Sequence, residues 1–411
     1  MSAPSMTPVS VQPLLPGQVS ERGAPMTLGV MGGGQLGRMF VHAAQAMGYC
    51  TAVLDPDATS PAGGISHHHI RTAYDDPAGL AELARVADAI TTEFENVPAQ
   101  SLALLAQTRR VAPSDRCVSV AQDRLAEKAL FVASAARSGV HPAPYAPVDS
   151  EAALAEVPDA LLPGILKTAR MGYDGKGQVR VDTREALAAA WTQLGRVPCV
   201  LEQRLSLRTE CSVIVARSLD GAVVHFPVQR NLHRDGILAV TEVYEGNLPA
   251  ALAARAVQAA IFVAEHVGYV GVLCVEFFVV DDGSADGQLV VNEMAPRPHN
   301  SGHYTQNACS VSQFELQVRC MAGLPLVQPR LHSPSIMLNL LGDVWQNPSG
   351  QPIPPQWDRV LALPGAHLHL YGKQDPRAGR KMGHLNLTAD SVPAVRHTAQ
   401  LACELLGLPG F

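Results

Sequence analysis

Lys167 and the run Gly172-Tyr173-Asp174-Gly175-Lys176-Gly177-Gln178 carry the most readable chemistry in this chain. The three glycines leave little side-chain bulk, so backbone N–H groups can close over phosphate oxygens. Lys167 ends a strand-like run, Ile165-Leu166-Lys167, and can reach the same phosphates as a point charge. A second strand-like run, Val179-Arg180-Val181, follows the loop; no helix does, which excludes a P-loop. The arrangement reads as a flexible lid over a nucleotide.

Glu276 and Glu293 form the second constellation. The runs Val272–Val280 and Leu289–Met294 are strand-like and joined by the polar turn Asp281–Gly287. Opposed positions in a hairpin have a constant sum, and that of Glu276 and Glu293 centres inside this turn, which places them opposite each other on one face. Two carboxylates that close repel unless a cation joins them, and Mg²⁺ carried by nucleotide phosphates suits one or two carboxylates. Asn292 falls on the other face of an ideal strand, so only a bulge or the strand end brings it in. The plainer reading is an exposed charged pair, weakened by the apolar runs around both glutamates.

Directly after Glu293 the chain reads Met294-Ala295-Pro296-Arg297-Pro298-His299-Asn300-Ser301-Gly302-His303. A turn this polar after a buried strand reads as a site loop rather than a solvated one, with Arg297 able to hold an anion by its planar fork. Glu202-Gln203-Arg204-Leu205 closes the strand Cys199–Leu201 and offers a backbone edge to a purine, with Glu210 near enough for ribose hydroxyls. Alone that signal is weak. The loops Arg230–Ile237 and Lys373–Lys381 are polar; the second is basic and suits a phosphate monoester, though basic loops are more often simply solvated.

These residues need a scaffold, and the pattern predicts an α/β one. Leu28–Met31, the turn Gly32-Gly33-Gly34-Gln35-Leu36-Gly37, a helix over Arg38–Met47 and a strand over Thr51–Asp55 make a βαβ opening. Gly32-x-Gly34-x-x-Gly37 with Asp55 fits a dinucleotide fingerprint, against a turn used for packing or another ligand. A helix over Gly79–Val86, a strand over Ala89–Thr92 and a helix capped by Asp123 and running to Ser138 follow. His141–Pro147 reads as a proline-rich linker and hinge. The last segment, opened by Pro325 and Pro329, is expected to hold short strands at Leu361–Leu363 and His367–Tyr371 and a closing helix at Val392–Leu406.

The 411 residues suffice for two or three domains. Apolar and charged contents of 47% and 17% suit soluble globular domains, and a net charge of −6 gives no pull toward nucleic acid or anionic membrane. The eight cysteines form no C-x-x-C and read as reduced core thiols of a cytosolic protein. No continuous apolar run is long enough to suggest a membrane span. Residues 1–25 are expected to be a disordered tail rather than a signal peptide.

Taken in order, Gly32–Met39, Thr92-Glu93-Phe94-Glu95-Asn96-Val97, Asp123-Arg124-Leu125, Lys167 with its loop, Asn231–Ile237, Asn292–His303 and Gly383-His384-Leu385-Asn386 resemble the N5-carboxyaminoimidazole ribonucleotide synthetase family. These are ATP-grasp carboxylases of bacterial and fungal purine biosynthesis, and the likeness spans about residues 27–400; the N-terminal tail departs from it. The resemblance implies a Rossmann-like pre-ATP-grasp domain at 26–121, an ATP-grasp domain at 122–325 with a lid near 146–206, and a small C-terminal domain at 326–411. It implies ATP contacts from Arg124, Lys167, Gly172, Tyr173, Asp174, Gly175, Lys176, Gly177, Gln178, Glu202, Gln203, Arg204, Leu205, Glu210, His233, Asn292 and Glu293. Mg²⁺, or Mn²⁺, would sit on Glu276 and Glu293. Gln35, Arg297, His299, Asn300, Lys373 and Arg380 would hold the ribonucleotide, with Asp174, Lys167 and Arg297 acting in catalysis. The glycine turn would then help hold the ribonucleotide and not a dinucleotide. The implied protein is a cytoplasmic homodimer taking ATP, bicarbonate and aminoimidazole ribonucleotide, with no nucleic-acid or membrane partner. Rival readings are a formate-dependent transformylase or biotin carboxylase of the same superfamily, a nicotinamide-dependent oxidoreductase, and a non-catalytic nucleotide sensor.

Overall fold

The computed structural model describes residues 12–172, 177–347 and 349–411. The first unit is a parallel sheet in the order β3-β2-β1-β4-β5. It is built from β1 (Thr27–Met31), α1 (Gln35–Ala46), β2 (Cys50–Leu54), β3 (His68–Ile70), α2 (Pro77–Val86), β4 (Ala89–Thr92), α3 (Ala99–Ala106) and β5 (Arg110–Val111). Its central strands β1, β2 and β4 are short buried runs, as crossover helices on a parallel sheet require, while β3 and β5 at the edges are only partly covered. Asp76 caps α2 by accepting the Gly79 N–H, and Pro77 supplies a preset first turn.

Two helices lead out, α4 (Asp115–Ala121) and α5 (Arg124–Ser138). Asp123 caps α5 through the N–H groups of Leu125 and Ala126, and Gly139 ends it at φ 65°. A four-stranded sheet, β6-β9-β7-β8, then forms from β6 (Tyr145–Val148), α6 (Glu151–Glu156), β7 (Gly164–Thr168), β8 (Gln178–Val181), α7 (Arg184–Gln193) and β9 (Cys199–Gln203). The expected linker at His141–Pro147 is built into the structure. The His141 carbonyl accepts the Val291 N–H, the Pro144 carbonyl accepts the Gln203 N–H, and Tyr145 already belongs to β6.

The remaining strands join one large sheet, ordered β15-β14-β10-β12-β13-β16-β18-β17 with β11 on the side of β10. Its members up to residue 322 are β10 (Leu207–Arg217), β11 (Val223–His225), β12 (Gln229–Arg234), β13 (Ile237–Val243), α8 (Ala250–Val267), β14 (Gly271–Val280), β15 (Gln288–Ala295), α9 (Thr305–Ala308) and α10 (Gln313–Ala322). The closing segment adds β16 (Ser335–Leu341), α11 (Trp357–Leu361), β17 (Ala366–Leu370), β18 (Lys381–Thr388) and α12 (Val392–Leu406). The C-terminal segment therefore extends the central sheet, through β13 to β16, instead of forming a sheet of its own. The strand expected at Leu361–Leu363 is the end of α11 and a turn.

The main core lies between α8, α5 and the β10–β14–β15 face. By length and composition α8 is apolar enough to cross a membrane, a feature the search for an unbroken apolar run passes over; here seven of its residues are buried against that core. A second core joins β1 and α1 to Phe314, Val318 and Met321 of α10, which fixes the first unit on the large sheet.

The expectation of a disordered tail fails for residues 12–25. The Leu14 N–H donates to the Ala322 carbonyl at 2.8 Å and the Gln12 carbonyl accepts from Arg110 at 2.8 Å. Arg22 pairs with Asp88 at 2.7 Å. Leu14 also packs against the second core, so this strap crosses from the first unit to the end of α10.

Candidate active site

The hairpin of β14 and β15 pairs Glu276 directly with Glu293, the register expected from the sequence. The next pair is Phe277 with Val291, so Asn292 is an inserted residue and the strand carries a bulge. That bulge supplies the irregularity Asn292 needs, and its Oδ1 is buried with no hydrogen-bond partner. Among the described residues no group of three or more His, Cys, Asp or Glu side chains is poised for a metal. The oxygens present, two carboxylates and one orphaned amide, fit a hard cation that takes the rest of its shell from phosphate and water.

Neighbouring charges tune this pair. Burial pushes the Glu276 carboxyl up, but His299, whose Nε2 lies 3.0 Å away, and then His233 and Arg297 outweigh it and hold it at about 2. Arg124 reaches Glu293 at 3.3 Å from the first turn of α5. His233 of β12 meets Glu210 of β10 at 2.9 Å; burial opposes its charge, yet the Glu210 hydrogen bond and the surrounding carboxylates raise its pKa.

On β7 and β9, Ile165 pairs with Glu202, so Lys167, two residues on, shares the face of Glu202. Its ammonium lies 3.0 Å from Glu202 Oε2, and Lys128 of α5 lies 3.2 Å from the same oxygen. Burial alone would raise the Glu202 pKa, but Lys167 and Lys128 bring it to about 2. Gly172, Gly177 and Gln178 flank the lid; Tyr173, Asp174, Gly175 and Lys176 lie outside the described residues. The N–H groups of Gln203 and Arg204 already donate to the carbonyls of Pro144 and Pro163, so a purine edge must use other groups of the Glu202–Leu205 stretch. The Arg204 side chain is exposed and pairs with Asp182, away from the Lys167 cluster.

Of the residues expected to hold the ribonucleotide, Gln35 and Lys373 meet at the N-terminus of α1, while His299 pairs with Glu276. Lys373 donates to Gln35 Oε1 at 2.7 Å and to the Lys381 carbonyl at 2.8 Å. Arg380 donates to the Asp375 carbonyl, and its charge is felt at Asp57. Arg297 pairs with Glu95 at 2.6 Å, joining the loop after β4 to the loop after β15. Burial would raise the Glu95 pKa, and Arg297 holds it down at about 2.

The dinucleotide reading of the glycine turn is overturned here. The Gly37 N–H donates to Glu93 Oε2 at 2.6 Å, the Gly34 N–H to Glu93 Oε1, and the Gly33 N–H to Asp55 Oδ2 at 2.6 Å. The donors that would cradle a pyrophosphate are filled by the protein's own carboxylates. A Cβ at Gly34 would stand 2.5 Å from Glu93 Oε1, so glycine here admits that carboxylate.

Inward from His299 the loop is anchored by stacked rings. The His303 and His384 centroids are 4.4 Å apart, and those of His384 and His369 4.5 Å apart. The Tyr371 hydroxyl lies 2.9 Å from His384 Nδ1, and Asn386 donates to the His303 carbonyl at 2.9 Å. Burial, aided by neighbouring rings, lowers the pKa values of His303 and His384 well below the ordinary range, and Lys381 and Arg297 add to the effect at His303. Burial also takes His369 down to about 4. Asn300 is buried with neither amide atom paired.

Sequence reasoning passed over Lys128, Glu127 and the carboxylate roles of Glu93, Glu95 and Asp55. Glu93 and Glu95 stood inside a quoted motif, and only their alternation before Asn96 could have marked them. Glu127, which accepts the Met294 N–H at 2.7 Å, is pushed up to about 8 by burial and then by Glu293.

A lysine strand on a small antiparallel sheet, facing a two-glutamate hairpin on a larger one and joined to a separate parallel unit, defines an ATP-grasp enzyme. Family models agree: a ribonucleotide synthetase preATP-grasp domain matches residues 25–122, an ATP-grasp domain 133–314, and a phosphoribosylaminoimidazole carboxylase C-terminal domain 335–398. The chain belongs to the N5-carboxyaminoimidazole ribonucleotide synthase family. It is 44% identical to the synthase of Brucella melitensis biotype 1 over 87% of this chain and 95% of that one. It superposes on the ADP complex of an N5-carboxyaminoimidazole ribonucleotide synthetase with a TM-score of 0.85 at 36% identity, covering 96% and 98% of the two chains. An Aspergillus clavatus synthase complexed with ADP and 5-aminoimidazole ribonucleotide matches with a TM-score of 0.81 at 29% identity, covering 93% and 99%.

Proposed function

We propose that this protein carboxylates 5-aminoimidazole ribonucleotide at N5, using ATP and bicarbonate and releasing ADP and phosphate, in purine biosynthesis. The observation that carries the reading is the continuity of the glutamate hairpin into the Arg297–His299 loop. Glu95 of the first unit pairs with Arg297 of that loop. A bicarbonate oxygen attacks the γ-phosphoryl group and ADP leaves; the resulting carboxyphosphate breaks to CO₂ and phosphate. The substrate amine bonds to that carbon and loses a proton. Phosphoryl transfer asks the protein chiefly for positioning and charge neutralisation. Lys167 and Arg124 neutralise phosphates, Arg297 and His299 orient the small anion, and Gln35, Lys373 and Arg380 hold the substrate's 5′-phosphate. Glu202 to Leu205, Glu210 and His233 take the nucleoside. Mg²⁺ on Glu276, Glu293 and Asn292 would withdraw charge from the phosphates as a Lewis acid. In this reading the Gly172–Gln178 segment, whose residues 173–176 lie outside the described ones, supplies the lid that keeps water from a short-lived intermediate, and Asp174 serves the amine. A cytoplasmic homodimer is part of this proposal.

ADP release that requires both bicarbonate and aminoimidazole ribonucleotide, with label from bicarbonate in the product, is the expected result. Incorporation of formate instead, or binding of NAD(P) without ATP, refutes the reading.

A further inference from the structure

Lys128 is a charged group with no surface at all: its side chain is 0% exposed. Its ammonium contacts Glu202 Oε2 at 3.2 Å and the Asn292 carbonyl at 3.2 Å. Lys167 contacts the same Oε2 at 3.0 Å, and its side chain is 10% exposed. Two buried ammonium groups therefore share one oxygen of one carboxylate, while Glu202 Oε1 is buried with no partner. A buried charge is costly unless it is paired, and this trio carries one positive charge more than it can pair internally. The surplus falls on Lys167, the member with an opening.

We propose that Lys128 is a positioning residue that sets the charge Lys167 presents to the nucleotide, by drawing the Glu202 carboxylate partly away from Lys167. This rests on the nucleotide site proposed above but not on the carboxylation chemistry. With Lys128 present, Glu202 is divided between two cations and Lys167 keeps positive charge for phosphate oxygens. Without it, Glu202 neutralises Lys167 and the site loses its hold on a polyanion. Lys128 also ties the inserted Asn292 to α5, so the same ammonium braces the nucleotide strand and the carboxylate hairpin. It acts from behind both and touches no ligand.

The test separates charge from packing by using a ligand without a base, inorganic tripolyphosphate with Mg²⁺, in calorimetric titration of the full chain. Lys128→Met keeps the length and loses the charge; it is expected to bind tripolyphosphate at least about tenfold more weakly. Glu202→Gln removes the competing carboxylate and is expected to bind it severalfold more tightly than the unaltered protein. The double variant should return close to the unaltered affinity, a recovery that a purely structural role for Lys128 does not produce. In steady state, Lys128→Met should raise KM for ATP and leave KM for the ribonucleotide unchanged. Tripolyphosphate affinity within twofold of the unaltered protein in Lys128→Met, or a double variant no better than Lys128→Met, overturns the proposal. If Lys128→Met does not fold, Glu202→Gln decides alone: tighter tripolyphosphate binding supports the proposal, and equal or weaker binding overturns it. Each reading is independent of whether carboxylated product forms.

Discussion

The ring stack behind the site loop should make part of this protein's stability depend on pH. His303 and His384 are fully buried; burial dominates their shifts, with His299, His369, Lys381 and Arg297 adding to it at His303, and His303 and His369 at His384. Their folded pKa values are depressed, so below the unfolded value of about 6.5 the unfolded chain binds protons the folded one refuses. Stability from these rings is full above that pH and is lost as pH falls toward the folded pKa. At pH 5 the refused proton costs about 2 kcal/mol per ring, or about 4 kcal/mol for the pair, against a total stability of about 5–15 kcal/mol. Glu127 runs the opposite way: its pKa is raised to about 8, so its contribution is lost as pH rises through the same window. The whole-protein curve therefore mixes signs, and the informative quantity is a difference. His384→Gln keeps an acceptor for the Tyr371 hydroxyl and cannot titrate. Urea unfolding at pH 7.5 should find the variant less stable than the unaltered protein, and at pH 5.0 that gap should close by about 2 kcal/mol. A gap that stays constant across the two pH values refutes the buried neutral stack.

Three further outcomes are expected. Glu276→Gln or Glu293→Gln should each lower kcat by at least about 10²-fold with the melting temperature largely kept, since each removes one carboxylate from the cation; near-normal turnover at saturating Mg²⁺ would sink the metal assignment. Lys373→Ala and Arg380→Ala should raise KM for aminoimidazole ribonucleotide about tenfold or more while the calorimetric Kd of Mg·ATP holds; equal damage to both ligands would move the loop to the nucleotide site. Removing residues 1–22 strips the Leu14, Gln12 and Arg22 contacts and should lower Tm by about 5 °C in scanning calorimetry; an unchanged Tm would leave the strap without a role in stability.

What the sequence made legible was local or governed by strict alternation. The pairing of Glu276 with Glu293 follows from turn position, and the Asp123 cap and the α12 boundaries follow from side chains beside their own backbone. The bulge at Asn292 was recognisable as a requirement but not as a fact, because one inserted residue leaves no pattern of its own. β16 and β18 passed unnoticed, since apolar runs such as Ile336–Leu341 do not announce which strand they will join. The site's internal wiring was least accessible. Glu95 meets Arg297 across 202 positions and Lys128 meets the Asn292 carbonyl across 164, so nothing short-range links either pair. The glycine turn misled for the same reason: its filling carboxylate, Glu93, comes from the loop just after β4.

The pairing of β13 with β16 has a consequence for how the chain is made. Until Ser335–Leu341 has been synthesised, β13 presents an open edge carrying Leu238, Val240 and Val243. Such an edge can template pairing with another chain. During translation the nascent ATP-grasp unit must therefore wait, with one flank unprotected, for the closing segment of the chain to arrive. A chain truncated before residue 335 is expected to aggregate, even though every residue proposed to reach the nucleotide has already been made.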